Sequence, residues 1–473
     1  MARRSAIPAS EVLTVGALLL ATTIVATSPA RALAQDRARP TEPEIGARTV
    51  SVDDFHYLGA FRLPLDEDED NSFAWGAHAL TYRCGGDPKG PDDGFPGSLF
   101  ITGHPYQLPS GRQIAEIAIP APGASRKLND LPTATILQQL QNVTGTSFAR
   151  NSELPRVGLE YLDTPATGPK VHIAFGQHMG TDIAEGTHGV FDPDLERPNF
   201  QGPWRLAGHS TFSVNDYLFE IPRDWADRFA EGRVLATGRF RDGGWSGMGP
   251  SLIAYRSWDD EGVFPGPGTE LASTTLLNYQ SSEEGFDPAR ILEGYQHPDS
   301  WEGGAWLTTT TGKAAVLFAG TKGVGERFWY GFANLEGPQF PCVFAGSSGE
   351  EWSCSMASGQ PCPREDYQEC KAHNGVRGWW SNRFEAQFIL YDPNDLAKVA
   401  TGALEPFEPQ PYARLVVDDN LLLNAGDLPE LGLGDQRLQR IGAIAYDRVG
   451  DHLYVLEPHA DSNKPVIHVW QVR

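Results

Sequence analysis

Along most of this chain, apolar and polar positions alternate over short runs, and no long stretch keeps a helical apolar period. One phrase recurs: a glycine, then small or apolar residues, often closing on tyrosine. It occupies 76–82, 158–162, 249–255, 303–307 and 442–446. After four of these comes a second β run, at Ser98 to His104, Val171 to His178, Ala314 to Lys322 and His452 to His459. A third run reads Ile114 to Pro120, Tyr217 to Pro222, Phe388 to Pro393 and Val466 to Val472. Most of these end at proline, which has no N–H to give to a ladder. Helical turns are expected at Arg223 to Glu231 and Asn394 to Val399, ahead of fourth strands such as Arg233 to Arg239 and Tyr412 to Val417.

Four strands per repeat is the blade of a propeller. The last repeat reaches Val472 after only three strands, and a lone strand, Phe55 to Leu63, precedes the first glycine phrase. Placed beside the terminal strand, it completes the last blade and removes the open edge. The pattern therefore predicts an all-β chain forming a single β-propeller of five four-stranded blades, with six as the alternative count. A jelly roll or stacked sandwiches would also be glycine-rich, but neither requires strand types to recur in a fixed order. The expected organisation is a signal peptide at 1–34, a linker at 35–50 and the propeller at 51–473, with a disulfide-containing loop insertion at about 337–383.

Composition agrees: 51 Gly, 36 Pro and 12 Trp against 4 Met suit a turn-rich, aromatic β protein. Arg3 and Arg4, an apolar run from Val12 to Ala26, and Ala32-Leu33-Ala34 follow the order of an export signal, cleaved after Ala34. The mature chain is expected to be secreted or periplasmic. That apolar run is too short for a membrane span, and no later segment approaches the required length. A formal charge of -23 with no Lys/Arg cluster excludes nucleic acid as an expected partner. A monomer binding an extracellular carbohydrate or another small ligand is anticipated. Cys342, Cys354, Cys362 and Cys370 lie close together and lack the tight C-x2-C pair of a zinc site, so two local disulfides are expected. Cys84 is left over, either as a buried free thiol or as a competitor in that pairing.

Candidate chemistry gathers where the long loops open, on the face that carries the excursions 176–215 and 322–384, the latter including Arg377 and Trp379. His78, Glu160 and Glu302 fall at or near the starts of innermost strands, and His104, His178, Lys322 and His459 end second strands. Arg239, Arg241 and Trp245 sit in the link before the third glycine phrase, while Trp75 and Trp301 precede the first and fourth. The expectation is a central, aromatic-rimmed pocket carrying carboxylates and imidazoles.

Three uses compete. Glycoside hydrolysis needs two carboxylates flanking the scissile bond, for which Glu160 and Glu302 are the candidates. Tryptophan faces would stack on sugar rings, and Arg239 or Arg241 would take a uronic acid or sulfate. The blade rhythm resembles that of the five-bladed propellers that include the arabinanase-like and levansucrase-like glycosidases. That resemblance implies three acidic residues on separate inner strands, of which Glu160 and Glu302 match two. A transition metal held by His78, His104, His178 and His459 is the second use, without any HExxH-like spacing to support it. A binding or scaffold disc for a glycan or protein is the third. Asp66 to Asp70 is either a calcium site or a solvated acidic turn, and it lacks the spaced ligands of a calcium loop. The chain contains no G-x-S-x-G, no phosphate-binding G-x-x-x-x-G-K-[ST] and no G-x-G-x-x-G.

Overall fold

A computed structural model describes residues 48–64, 72–76, 78–105, 113–148, 156–176, 186–331, 343–344, 352–353, 378–423, 431–432 and 434–473. The signal segment, the acidic run 66–70, His178, Arg377 and the four clustered cysteines fall outside the described residues.

Five antiparallel sheets form the blades. The first is built from Leu80–Arg83, Gly94–Thr102, Gln113–Pro120 and Ile136–Asn142; the second from Arg156–Thr164, Gly168–Gly176, His188–Phe191 and Gln201–Leu206. Leu218–Glu220, Leu235–Thr237, Leu252–Tyr255 and Ser273–Leu277 make the third, and Ser300–Thr308, Lys313–Gly331, Gly378–Tyr391 and Ala413–Val416 the fourth. Ile444–Asp447, His452–Asp461 and Lys464–Val472 make the fifth, completed by Phe55–Arg62. The five innermost strands pack side by side in blade order, the fifth against the first, so the ring is closed. Apolar clusters fill the seams between successive blades. Phe100 and Ile114 meet Val157 and Ile173 between the first and second, for example, and Leu80 and Leu99 meet Tyr454 and Leu456 between the first and fifth.

The closing strand pairs antiparallel with Lys464–Val472, placing Ala60 opposite His468. A buried relay fastens it. The Tyr57 hydroxyl lies 2.9 Å from His468 Nδ1, and His468 Nε2 lies 2.7 Å from the Glu457 carboxylate. That carboxylate also accepts from the backbone N–H groups of Leu422 and Leu423, at 2.8 and 2.6 Å. Each acceptor lone pair so engaged offsets the cost of keeping the charge out of water.

The third blade is not the one the glycine pattern predicts. Leu252–Tyr255, expected to be innermost, is its third strand. The innermost is the short Leu218–Glu220, within the run taken for the third strand of the second blade, and the expected fourth strand at Arg233 to Arg239 contains its second. The helix Arg223–Phe229 links first to second strand there, whereas Pro393–Ala400 links third to fourth in the fourth blade, as expected. The 176–215 excursion holds the two outer strands of the second blade. Likewise, both ends of the 322–384 excursion are strand, because the second and third strands of the fourth blade run on as far as Gly331 and Gly378. Cys84 is exposed and free, not buried.

Glycine spacing misled because close approach can be arranged from either side of a seam. A Cβ on Gly158 would stand 2.1 Å from the Asp216 carbonyl oxygen, and one on Gly304 would stand 2.4 Å from the Phe219 ring. The glycines that admit the third inner strand are thus on the second and fourth blades. Gly249, with φ +156°, instead sits against the Tyr279 ring.

Candidate functional site

Two polar knots tie the inner strands together, one near their starts and one further along. The upper knot centres on Arg156, the first residue of the second blade's inner strand. Its guanidinium donates to the Glu302 carboxylate of the fourth blade at 2.7 Å and lies 3.2 Å from His78 Nδ1 of the first. Glu302 accepts a second bond from the Ser300 hydroxyl at 2.8 Å. Asp216, just before the third inner strand, accepts from the Phe240 backbone N–H at 3.2 Å. The fifth blade contributes His459, close enough to His78 to act on its charge. His459 Nε2 is 3.1 Å from Gln439 Oε1, and its ring lies against Trp75, with centroids 5.0 Å apart.

Three guanidinium groups surround one ring in this knot. Arg156, Arg241 and Arg239 place their central carbons 3.7, 4.9 and 5.7 Å from the Phe240 centroid. Arg239 is buried and turned inward: its Nε donates to the Arg241 carbonyl at 2.9 Å, and a terminal nitrogen donates to the Phe212 carbonyl at 2.7 Å. It shapes the turn from which Arg241, which retains partial exposure, is presented.

Burial sets the protonation states. It pushes the Asp216 carboxyl up to about 7, reinforced by Glu302 and opposed by Arg156, Arg239 and the Phe240 N–H. It drives His78 well below the ordinary imidazole range, with Arg156 and His459 acting the same way, so His78 is neutral. His459 falls to about 4 through burial and Arg437. Arg239 and Arg241 fall to about 10 by burial and remain charged at neutral pH.

The lower knot holds Glu160. Its carboxylate accepts from the Thr81 hydroxyl at 3.1 Å and from the Glu220 backbone N–H at 3.0 Å, joining the second blade to the first and third. Arg448, just past the fifth inner strand, donates to the Glu220 and Trp306 carbonyls at 2.8 and 3.2 Å and pairs with the Glu220 carboxylate at 2.9 Å. Burial pushes Glu160 up to about 8, against the pull of Arg448 and with that of Glu220.

Glu160 and Glu302 therefore belong to different knots. Their anchors on one strand, Glu160 and Arg156, lie four residues or about 13 Å apart. The carboxyl that does share a knot with Glu302 is Asp216, which the sequence reading missed together with Arg156 and Phe240. The available signal was Asp216-Tyr217, which stands just ahead of its inner strand much as Ser300 and Glu302 open theirs.

Other expected ligand-binding residues are dispersed. Trp301 is 1% exposed and packs in the core, so it offers no face to a solute. Lys322 is buried in an ion pair with Asp299 at 3.0 Å, whose carboxyl burial raises and Lys322 lowers. His104 ends the hairpin beyond Thr102, its backbone N–H bonded to the Ser72 carbonyl at 2.9 Å. Trp245 is 38% exposed and packs beside Phe212, with Arg239 5.6 Å from its ring. Trp379 is half-buried and stacked on His297 at 4.5 Å, with Tyr330 at its edge. Tyr295 and Tyr330 both lie close enough to Arg241 to act on its charge. Among the described residues, no three His, Cys, Asp or Glu side chains are grouped to hold a metal ion. The guanidinium beside His78 Nδ1 is, moreover, a poor neighbour for a second cation.

Ring and knots together define a closed five-bladed β-propeller whose channel is occupied by side chains. No protein-family model and no curated relative matches the chain. Among solved structures, the PQQ domain of a pyranose dehydrogenase from Coprinopsis cinerea, in its holo form, aligns over 83% of this chain and 93% of that one, at 10% identity and a TM-score of 0.32. At that level nothing about ligand or reaction passes from one to the other. No helix among the described residues is long and apolar enough to cross a membrane.

Proposed function

We propose that this is an exported propeller, secreted or periplasmic, that binds carbohydrate on the face around the upper knot. The observation that supports it is the combination of that knot with partly exposed aromatic faces beside it. Trp245 stands over Arg239, Trp75 lies against His459, and Tyr330, next to Trp379, acts on Arg241. Aromatic faces give a sugar ring apolar contact, and charged groups nearby give its substituents directional bonds. Screening a broad polysaccharide array, followed by titration calorimetry on the hits, tests the reading. Trp245→Ala should weaken binding at least about tenfold without lowering the melting temperature. Absence of binding across the array, or an unaffected Trp245→Ala, removes the proposal.

One observation favours a hydrolytic role in addition. Asp216 and Glu302 share a knot in which burial holds the Asp216 carboxyl at about 7 while Glu302 is engaged by Arg156. A carboxyl poised near neutrality beside a second, ion-paired carboxylate is the pairing that acid-assisted glycoside cleavage uses. Asp216 is only 1% exposed, so this reading requires the turn carrying Phe240 and Arg241 to move aside. Reducing-end release should then disappear in Asp216→Asn and Glu302→Gln. Wild-type release from either variant would leave the face as a binding surface alone.

A further inference from the structure

We infer that the seam between the second and third blades is an acid-sensitive hinge: when His172 and His188 gain protons, the outer strands of these two blades part while their axial ends stay joined. This goes beyond the carbohydrate reading and does not depend on it.

The two imidazoles stand on one face of the second blade. His172 is on its second strand and His188 on its third, and the ladder sets Val190 opposite His172 and Ala174 opposite His188. Residues directly opposite, and residues two apart on one strand, share a face, so both rings enter the same seam. There His188 meets Tyr255 with centroids 4.9 Å apart, and His172 meets Trp258 at 5.4 Å. Both histidines are fully buried. His172 Nδ1 is 3.4 Å from the Ser257 hydroxyl, and His188 Nδ1 is 3.1 Å from the Thr187 hydroxyl. Nε2 of each ring, and the Tyr255 hydroxyl, have no hydrogen-bond partner among the described residues. A third imidazole, His209, reaches the third blade, its Nε2 3.2 Å from the Thr275 hydroxyl.

The charges around these rings do not favour a proton. Lys170 acts on His172, and His172 and His209 act on His188, all with the sign the rings would acquire. Lys170 is paired with Asp192, and on the third blade Arg256 is paired with Asp260. The carboxyl opposite His172 in the ladder is Glu160, bonded to the Thr81 hydroxyl and the Glu220 N–H. Burial holds it at about 8, so it is neutral wherever an imidazole titrates. Burial likewise keeps Tyr255 a neutral phenol. Burial and then these like charges lower His172 and His188 to about 3, and burial lowers His209.

A parted seam returns the rings to an ordinary 6.5. Below that value it binds more protons than the closed seam, so closure weakens as pH falls toward 3. The axis responds in the opposite sense. Burial raises Glu160 and Asp216, which therefore hold their protons more tightly in the closed knots, and acid tightens the inner strands. Opposite responses at rim and axis make a hinge and not a general loosening.

Between pH 6.5 and 4.5 each of the two rings should favour parting by about fiftyfold. Hydrogen exchange of the intact chain, scaled for the pH dependence of intrinsic exchange, reads this segment by segment. Protection of His188–Phe191, Gln201–Leu206 and Ser273–Leu277 should fall by about fiftyfold or more, while Arg156–Thr164, Ser300–Thr308 and Lys464–Val472 stay within a few-fold. His172→Phe and His188→Phe keep a ring in each place and cannot titrate. Each should remove about one fiftyfold step, and the two together should leave the rim insensitive to acid; should the double variant not fold, the single variants decide. Equal loss of protection across all five blades, unchanged protection at the rim, or a single variant that responds as the wild type does overturns the inference.

Discussion

Arg156 of the second blade and Glu302 of the fourth meet at 2.7 Å, spanning the inner strand of the blade between them. Both side chains are about nine-tenths buried, so the pair is shielded from solvent and salt. Removing one partner of such a pair leaves an uncompensated charge. Arg156→Leu should cost about 3 kcal/mol in urea unfolding, and Glu302→Gln, which keeps an acceptor for Ser300, nearer 1–2 kcal/mol. A double-mutant cycle should return a coupling above about 1 kcal/mol. Additive losses would mean that the pair does not hold the blades.

The lower knot makes stability depend on pH in a defined direction. Glu160 rises from an ordinary 4.5 to about 8 in the fold, so between those values the folded chain binds more protons than the unfolded one. Its contribution is most favourable below pH 4.5 and is lost as pH rises toward 8. Glu160→Gln cannot ionise and retains an acceptor for the Glu220 N–H. Relative to wild type it should gain stability steadily from pH 5 to 8, by about 3–4 kcal/mol for a shift of that size. Parallel melting-temperature profiles for the two proteins across that range would refute the assignment.

Gly158 should tolerate no side chain. A Cβ there would stand 2.1 Å from the Asp216 carbonyl oxygen and 2.7 Å from the Leu218 nitrogen, both backbone atoms that cannot swing away. Gly158→Ala is expected to cost about 2–3 kcal/mol by pushing two inner strands apart. Gly145→Ala, at a position with open space, has only its positive φ to contend with and should cost about 1 kcal/mol. Chemical denaturation of the two variants gives the comparison, and equal losses would show that the seam can relax.

The relay at the closing strand should matter more than a surface contact. His468→Leu strands the Tyr57 hydroxyl and removes one of the donors to the buried Glu457 carboxylate. A loss of about 3 kcal/mol is expected, with hydrogen exchange in residues 55–62 accelerating more than elsewhere. Uniform acceleration across all five blades would contradict a local fastening role.

The ring was legible from sequence because its repeating unit leaves a repeating trace: Gly-then-apolar phrases for innermost strands, followed by β runs in fixed order. The first, fourth and fifth blades fall where that trace puts them, with Phe55–Arg62 closing the fifth, whereas the second keeps only its two inner strands where expected. The third blade was misread because Leu218–Glu220 has no glycine of its own; Gly158 and Gly304 on its neighbours make the room. That error carried into the site. With the third inner strand placed at Leu252–Tyr255, Asp216 had no reason to face the axis, and Glu160 was left as partner to Glu302. Which carboxylate shares a knot with which depends on how far along its strand each one sits, and apolar alternation does not encode that depth.

Tyr57 and His468, hydrogen-bonded in the finished ring, are separated by 411 positions along the chain. Bringing such distant segments together carries the largest loop-closure entropy in the fold, and topologies dominated by remote pairing are slow to form. Four blades can assemble from neighbouring residues while the fifth still waits for its outer edge. Completing the circle is therefore expected to be the late, rate-setting event of maturation, and an interrupted chain would expose the ladder of Lys464–Val472 to whatever strand it met first.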